Sequence, residues 1–183
     1  MNYWLISDTH FNHSKLEEWG GRTGDWQEQM LKGIKEIPHG DILIHLGDIC
    51  IGNDEEVHQE LFKATVGPIA ENGDCRLVKT ILVRGNHDKK SIPWYMQHGF
   101  DFVCDQIGLE YHGVDILLSH RPMPPDTWRW RYNIHGHTHG NMHRAEEYTA
   151  WYDAKNHHID ISPELVGYKP LRLDTLMKSH GVR

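Results

Sequence analysis

The chain has 183 residues, 38% hydrophobic and 25% charged, with a formal net charge of −7 at pH 7. That size and composition fit one folded, soluble domain over residues 1–183. They exclude a disordered chain, and no apolar run approaches the ~20 residues of a membrane span. The negative balance argues against a broad electrostatic grip on long nucleic acid.

The opening "MNYWLISDTH" has no basic region or cleavage site, so no secretory leader is expected. Cys50, Cys75 and Cys104 are odd in number and lack CxxC spacing, which suggests reduced thiols in a cytoplasm. Histidine is the outlier, with 16 residues against 7 tyrosines and 4 phenylalanines.

In chain order, Asn2–Ser7 reads as a short buried strand, an apolar run of parallel-sheet type. A helix is expected near Trp26–Ile37, where Trp26, Met30, Ile34 and Ile37 recur at helical spacing. Asp25 is its candidate N-cap with Glu28 three residues later, and Pro38 and Gly40 stop it. Asp41–Leu46 is a second buried strand. Asp54–Ala64 is a second helix, with Val57, Leu61 and Ala64 on one stripe and Asn53 as cap. Lys79–Arg84 is the third strand, and a short helix follows Ser91. Strand patterns then dominate, at Phe102–Cys104, Ile107–Tyr111, Val114–Leu118, Trp130–His135 and His157–Ile161. The order implies two packed sheets with helices outside.

The strand ends share one chemistry. The first strand runs into Asp8-Thr9-His10, the second into Gly47-Asp48, the third into Gly85-Asn86-His87-Asp88. "VDILLS" runs into His120, and "RYNIHG" into His137-Thr138-His139. Asp8 and His10 are spaced by two, as are His137 and His139, which in an extended segment puts both side chains on one side. Carboxyl ends of strands are where α/β sheets bind ligands, so five ends can converge on one crevice. Mixed imidazole and carboxylate donors suit borderline divalent cations. Asp8, His10, Asp48, Asn86, His120, His137 and His139 make seven donors, too many for one tetrahedral ion and suited to two ions sharing a carboxylate.

At these residues the sequence resembles the calcineurin-like metallophosphoesterases. The blocks D-x-H, G-D, G-N-H-D/E, H and G-H-x-H appear in order as "DTH", "GD", "GNHD", "SH" and "GHTH". "DTHFNH" near the start and "HIDISPELVGYKPLRLDTL" near the end look like the small bacterial and phage members. The resemblance implies an α/β fold, a four-layer αββα sandwich of two mixed β-sheets flanked by helices. It implies two divalent ions, Mn²⁺ favoured and Fe, Zn, Ni or Co possible. Asp8, His10 and His139 would hold the first, with Asp48 bridging; Asn86, His120 and His137 would complete the second. Such a pair clamps a phosphate and supplies a bridging hydroxide for in-line attack. His87, the nearest unassigned imidazole, is the expected general acid, and Asp88 beside it the expected partner that orients the ring.

The remaining candidates keep two readings. His13 touches substrate phosphate or is a turn residue. Arg121, directly after a ligand, steadies phosphate or is solvated. Arg84 reads as a surface or ion-pair residue. His135 supports the ligands from behind or is a core histidine, His45 is structural, and His157 and His158 read as strand or loop surface. In "DTWRWRY", Trp128, Trp130 and Tyr132 would share one strand face, either as a half-buried strand (the preferred reading) or as a platform for stacking a nucleobase. The expected function is hydrolysis of a phosphodiester, on a small or cyclic nucleotide or a nucleic-acid end, without a membrane. A phosphomonoesterase is the alternative, and a metal-supported scaffold a further one.

Overall fold

A computed structural model of the protein describes residues 1–19, 21–22, 24–67, 77–125, 129–141, 146–148 and 150–182. Its first half comprises β1 (Tyr3–Ile6), α1 (Lys15–Trp19), α2 (Trp26–Lys35), β2 (Ile42–His45), α3 (Asp54–Val66), β3 (Lys79–Val83) and α4 (Ile92–Gln97). The second half comprises β4 (Phe102–Cys104), β5 (Gln106–Tyr111), β6 (Val114–Ser119), β7 (Tyr132–His135), β8 (His158–Asp160), α5 (Pro163–Val166), β9 (Leu171–Arg172) and α6 (Leu173–Ser179).

Two mixed sheets result, flanked by helices. One has the order β4-β3-β2-β1-β9, the other β5-β6-β7-β8. In the first, β1 to β4 run parallel and β9 pairs antiparallel with β1; in the second, β6 to β8 run parallel and β5 is antiparallel. Among the described residues no helix is long and apolar enough to cross a membrane.

The apolar runs of β1, β2 and β3 are continuous because both faces of their sheet are buried. Ile6, Leu43 and Leu82 pack with Trp26, Met30 and Ile34 of α2, Val57 and Leu61 of α3, and Tyr95 of α4. Their neighbours Leu5, Ile44 and Val83 face Ile116, Leu118, Ile134 and Ile159 of the second sheet, with Leu173 and Met177 of α6 closing that inter-sheet core. Successive side chains thus feed two different cores, as a period of two requires.

Several local expectations are corrected. Neither Asp25 nor Asn53 makes a side-chain capping bond, and Asn53 is left-handed at φ 50°. Ser91 does cap, accepting from Trp94 N–H at 3.3 Å. The strand expected from Trp130 begins only at Tyr132, and Trp130 and Tyr132 do not share a face. Tyr132 joins the inter-sheet core, whereas the Trp130 ring lies where a side chain on Gly108 would stand. Gly108 alternates with Ile107 and Leu109, which face the inter-sheet core, so Trp130 covers the outer face of the second sheet. Trp128 and Cys75 lie outside the described residues. His158 is not surface but buried, accepting from Asp153 N–H at 3.0 Å and donating to the Met123 carbonyl at 2.9 Å.

Candidate metal centre

Parallel β1, β2 and β3 deliver their carboxyl ends to one rim, and the loops beyond them stay in register. Asp8 N–H donates to Gly47 O at 2.9 Å, His10 N–H to Asp48 O at 3.0 Å and Phe11 N–H to Ile49 O at 2.9 Å. β6 and β7 bring His120 and the His137–His139 turn from the opposing sheet, and His137 N–H reaches across to Asp8 Oδ2 at 2.9 Å.

Seven side chains meet there. His10 Nε2 lies 3.8 Å from Asp8 Oδ1 and 3.6 Å from Asp48 Oδ2, and His139 Nε2 lies 3.6 Å from Asp8 Oδ1. His120 Nε2 lies 3.4 Å from Asp48 Oδ2, 3.1 Å from Asn86 Oδ1 and 3.2 Å from His137 Nδ1. Asp8, His10 and His139 form one cluster, and Asp48, His120 and His137 another. Asp48 Oδ2 faces both.

This donor set fits divalent cations better than it fits hydrogen bonding. His120 Nδ1 faces the Leu46 carbonyl at 2.8 Å; with its proton donated there, Nε2 presents a lone pair to two oxygen acceptors, Asp48 Oδ2 and Asn86 Oδ1, beside a second imidazole nitrogen, His137 Nδ1. Asp8 Oδ1 is buried with no hydrogen-bond partner among the described residues. Ligands about 2.0–2.2 Å from an ion in tetrahedral or octahedral array stand about 3.0–3.5 Å apart, close to the spacings around His120.

The charges respond to the same crowding. Complete burial raises the pKa of Asp8 against the pull of His120 and His139. Burial pushes His10 down to about 2, with Asp48 pulling the other way. Burial also opposes ionisation of Asp48, but the hydrogen bond and charge of His120 and the His87 amide outweigh it and keep that carboxyl below its usual range. Burial lowers His120 in turn, and its hydrogen bond to Asp48 with the charges of Asp8 and Asp48 overcomes this and lifts it to about 9. Without metal, the carboxylates draw a proton to where a cation would stand.

The backbone is strained at the ligands. Asp8, His10, Asp48, His137 and His139 are all left-handed, with φ of 48°, 44°, 57°, 70° and 53°, a costly conformation for such residues that clusters at functional sites. The expected extended pairing of Asp8 with His10 and of His137 with His139 is therefore corrected. The pairs converge through left-handed turns, while Thr9 and Thr138 between them turn to Ile49 O and Asp160. Two glycines of the blocks act through their lack of a Cβ: one on Gly85 would strike Asp48 Oδ1, and one on Gly136 would strike Asp8 Oδ2.

His87 stands at the mouth, its side chain 47% exposed, with Nε2 3.9 Å from Asp48 Oδ2 and its ring 5.4 Å from that of His10. Asp88 is not its orienting partner. Its buried carboxylate accepts Gly85 N–H at 2.7 Å, Asp48 N–H at 2.8 Å and Ile49 N–H at 3.1 Å, so it ties the β3 loop to the β2 loop. It makes no hydrogen bond to His87 among the described residues. Burial raises its pKa against those three amides. His13 places its ring 5.7 Å from His10 on the same rim, and its Nδ1 is buried without a partner among the described residues. Arg121 lines a groove beside Asn86 and His120. Arg84 pairs with Asp105 at 2.7 Å.

His45 is structural: its Nδ1 accepts Gly47 N–H at 3.0 Å, and its Nε2 lies 2.9 Å from Thr9 Oγ1. His135 is a core histidine held by Gly136 O at 2.8 Å and Tyr152 Oη at 3.1 Å.

Two supporting residues escaped the sequence reading. Glu164 Oε1 lies 3.0 Å from His139 Nδ1 and accepts Arg22 Nε–H at 2.8 Å. Arg22 is buried, donates to Asp8 O at 2.8 Å and Thr9 O at 3.1 Å, and lies 4.6 Å from the Trp26 ring. A carboxylate behind a ligating imidazole fixes its tautomer and raises its basicity. The only available signal was Glu164 within "HIDISPELVGYKP", where nothing marks it as facing His139.

Two mixed sheets thus bring two adjacent candidate metal clusters together at their strand ends. The calcineurin-like phosphoesterase family model matches residues 1–142, and the chain belongs to that family. An uncharacterized protein of Methanocaldococcus jannaschii is 31% identical over 182 residues, spanning 96% of this chain and 89% of its own. A protein of unknown function from Aquifex aeolicus shares the fold with a TM-score of 0.71 at 27% identity, over 97% of this chain and 98% of that one. A fainter likeness, with a TM-score of 0.48 at 16% identity over 91% and 88% of the chains, is to a protein described as a novel archaeal phosphodiesterase. It is too distant to bear on substrate.

Proposed function

We infer that the protein is a dinuclear metal-dependent phosphoesterase that hydrolyses a small phosphodiester, with a nucleotide as the favoured substrate. The observation that carries this reading is Asp48 Oδ2, which faces His10 Nε2 at 3.6 Å and His120 Nε2 at 3.4 Å and so stands between two donor clusters. Two divalent ions held there, Mn²⁺ favoured, would supply a hydroxide nucleophile at neutral pH and neutralise phosphate charge.

The chain's own residues do the rest. Asp8, His10 and His139 hold one side, and Asn86, His120 and His137 the other, with the His139 ring fixed from behind by Glu164 and the His120 ring by the Leu46 carbonyl. His87 donates its proton to the ester oxygen as the P–O bond breaks, and its exposure allows it to be reprotonated from solvent. His13 contacts a phosphate oxygen at the same rim. The groove by Asn86 on one side and the exposed His87 side chain at the opposite mouth support a phosphate with an ester on each side.

The test compares Mn²⁺-dependent hydrolysis of bis-p-nitrophenyl phosphate and p-nitrophenyl phosphate after chelation. Faster turnover of the diester is expected. Preference for the monoester would make the protein a phosphatase, and no metal-dependent turnover of either would leave it a scaffold.

A further inference from the structure

A groove of about 300 Å³ opens from Asn86 and His120 between the two sheets, lined also by Arg84, Asp105, Gln106 and Arg121. That volume is near the lower end of small-molecule sites, about 300–1,000 Å³, and suits one small substituent rather than a polymer. In a chain of net charge −7, two guanidinium groups line this one opening.

The Arg84 arm is held by a carboxylate, and the backbone that carries Arg121 is held by buried polar groups. Arg84 turns Nε and Nη2 to Asp105 Oδ1 at 3.0 and 2.7 Å, while its Nη1 makes no hydrogen bond among the described residues. The Arg121 carbonyl accepts Ser119 Oγ–H at 2.7 Å, and Met123 N–H donates to Asn133 Oδ1 at 2.8 Å. Asn133 is fully buried and donates Nδ2–H to Ser119 Oγ at 2.8 Å. Buried His158 holds the Met123 carbonyl at 2.9 Å. Buried polar residues thus hold the backbone segment that carries the exposed Arg121 at the rim of the groove.

We propose that this groove binds a second phosphate of the substrate, so that the substrate class is a nucleoside or sugar bearing a scissile phosphodiester and a second, separate phosphate. The scissile one rests on the phosphoesterase reading above, and the other on Arg84 and Arg121. Guanidinium forks suit phosphate oxygens. Asp105 competes for Arg84 and sets the subsite's strength.

The test is calorimetric binding to the Mn²⁺-loaded protein of two unhydrolysable adenosine phosphonates, one with a 5′ group alone and one with 3′ and 5′ groups. The analogue with both phosphonate groups should bind about tenfold more tightly, as one charge-assisted hydrogen bond allows. Arg121→Gln and Arg84→Gln should each shrink that ratio, and Asp105→Asn should enlarge it. A wild-type ratio near one, or a ratio that survives both arginine substitutions, overturns the subsite. Absence of Mn²⁺-dependent hydrolysis of bis-p-nitrophenyl phosphate would instead sink the phosphoesterase reading, and the binding ratio would remain readable.

Discussion

Glu164 decides which face of His139 is presented to the candidate metal centre. With Nδ1–H given to Glu164 Oε1 at 3.0 Å, Nε2 is left as a lone pair toward Asp8. Glu164→Gln keeps the shape but weakens that bond, and metal affinity should fall about 10–100-fold, the usual effect of losing such a partner. Competition with a chromogenic chelator measures it; unchanged affinity would reduce Glu164 to a counterion for Arg22. His87 is tested by what leaves. Nitrophenolate departs almost unaided and a ribose alkoxide does not, so His87→Ala should cost ~10²–10⁴-fold on a nucleoside ester and clearly less on bis-p-nitrophenyl phosphate. Equal losses with metal content intact would make His87 a phosphate-positioning group. The two residues differ in legibility. His87 sits inside a block that the sequence displays, whereas Glu164 and Arg22 are 142 positions apart and meet His139 only in the folded chain.

The loops that extend β1, β2 and β3 explain how much of the site could be read in advance. Residue type and strand order were enough to name the seven donors that the structure brings together, because parallel strands deliver their carboxyl ends to one rim. Backbone conformation was not legible, since nothing in Asp8, His10 or Asp48 announces a left-handed φ. Asp88 was misjudged for a related reason. Neighbours in sequence at a tight turn point apart, and its carboxylate found three amides before it could find His87. The corrected role sets what its substitution should do. Asp88→Asn leaves one carbonyl oxygen for three N–H donors, so the β2 and β3 loops should loosen and stability fall by about 1–3 kcal/mol. Metal affinity should fall with it, and turnover should drop equally for good and poor leaving groups. A loss confined to poor leaving groups would restore Asp88 as the partner of His87. The short β9 and α6 went unread because "LRLDTLMKS" carries too few turns for a period to emerge, yet Leu173 and Met177 close the inter-sheet core.

For the whole molecule, metal and protons act on one folding equilibrium. A ligand at 100 times its dissociation constant stabilises the native state by about 2.7 kcal/mol, so Mn²⁺ added after chelation should raise Tm by roughly 5–10 °C for a chain of this size. An unmoved melt despite measured Mn²⁺ binding to the native protein would contradict a preformed site. Protons should act even without metal, through histidines that ligate nothing. His45, His58 and His135 are buried, and burial pushes them down to about 3, 4 and 4. Their folded pKa values lie below the unfolded value of about 6.5. The unfolded chain therefore takes up the protons first, and the stability each contributes is whole above pH 6.5 and lost as pH falls toward 4. Between pH 7.5 and 5 that loss is about 2 kcal/mol per histidine. His120, raised to about 9, works in the opposite direction over the same range and offsets about 1 kcal/mol of it. His58 isolates the effect, because it lies far from the ligands among Trp94, Tyr95 and Phe100, with ring centroids 5.0, 5.4 and 5.7 Å away. Phenylalanine fits such surroundings and cannot titrate. In the metal-free protein, His58→Phe should therefore reduce the loss of unfolding free energy between pH 7.5 and 5 by about 2 kcal/mol, read from urea midpoints at constant m. An identical pH dependence in the two proteins would mean that His58 gains its proton in the folded state as readily as in the unfolded chain.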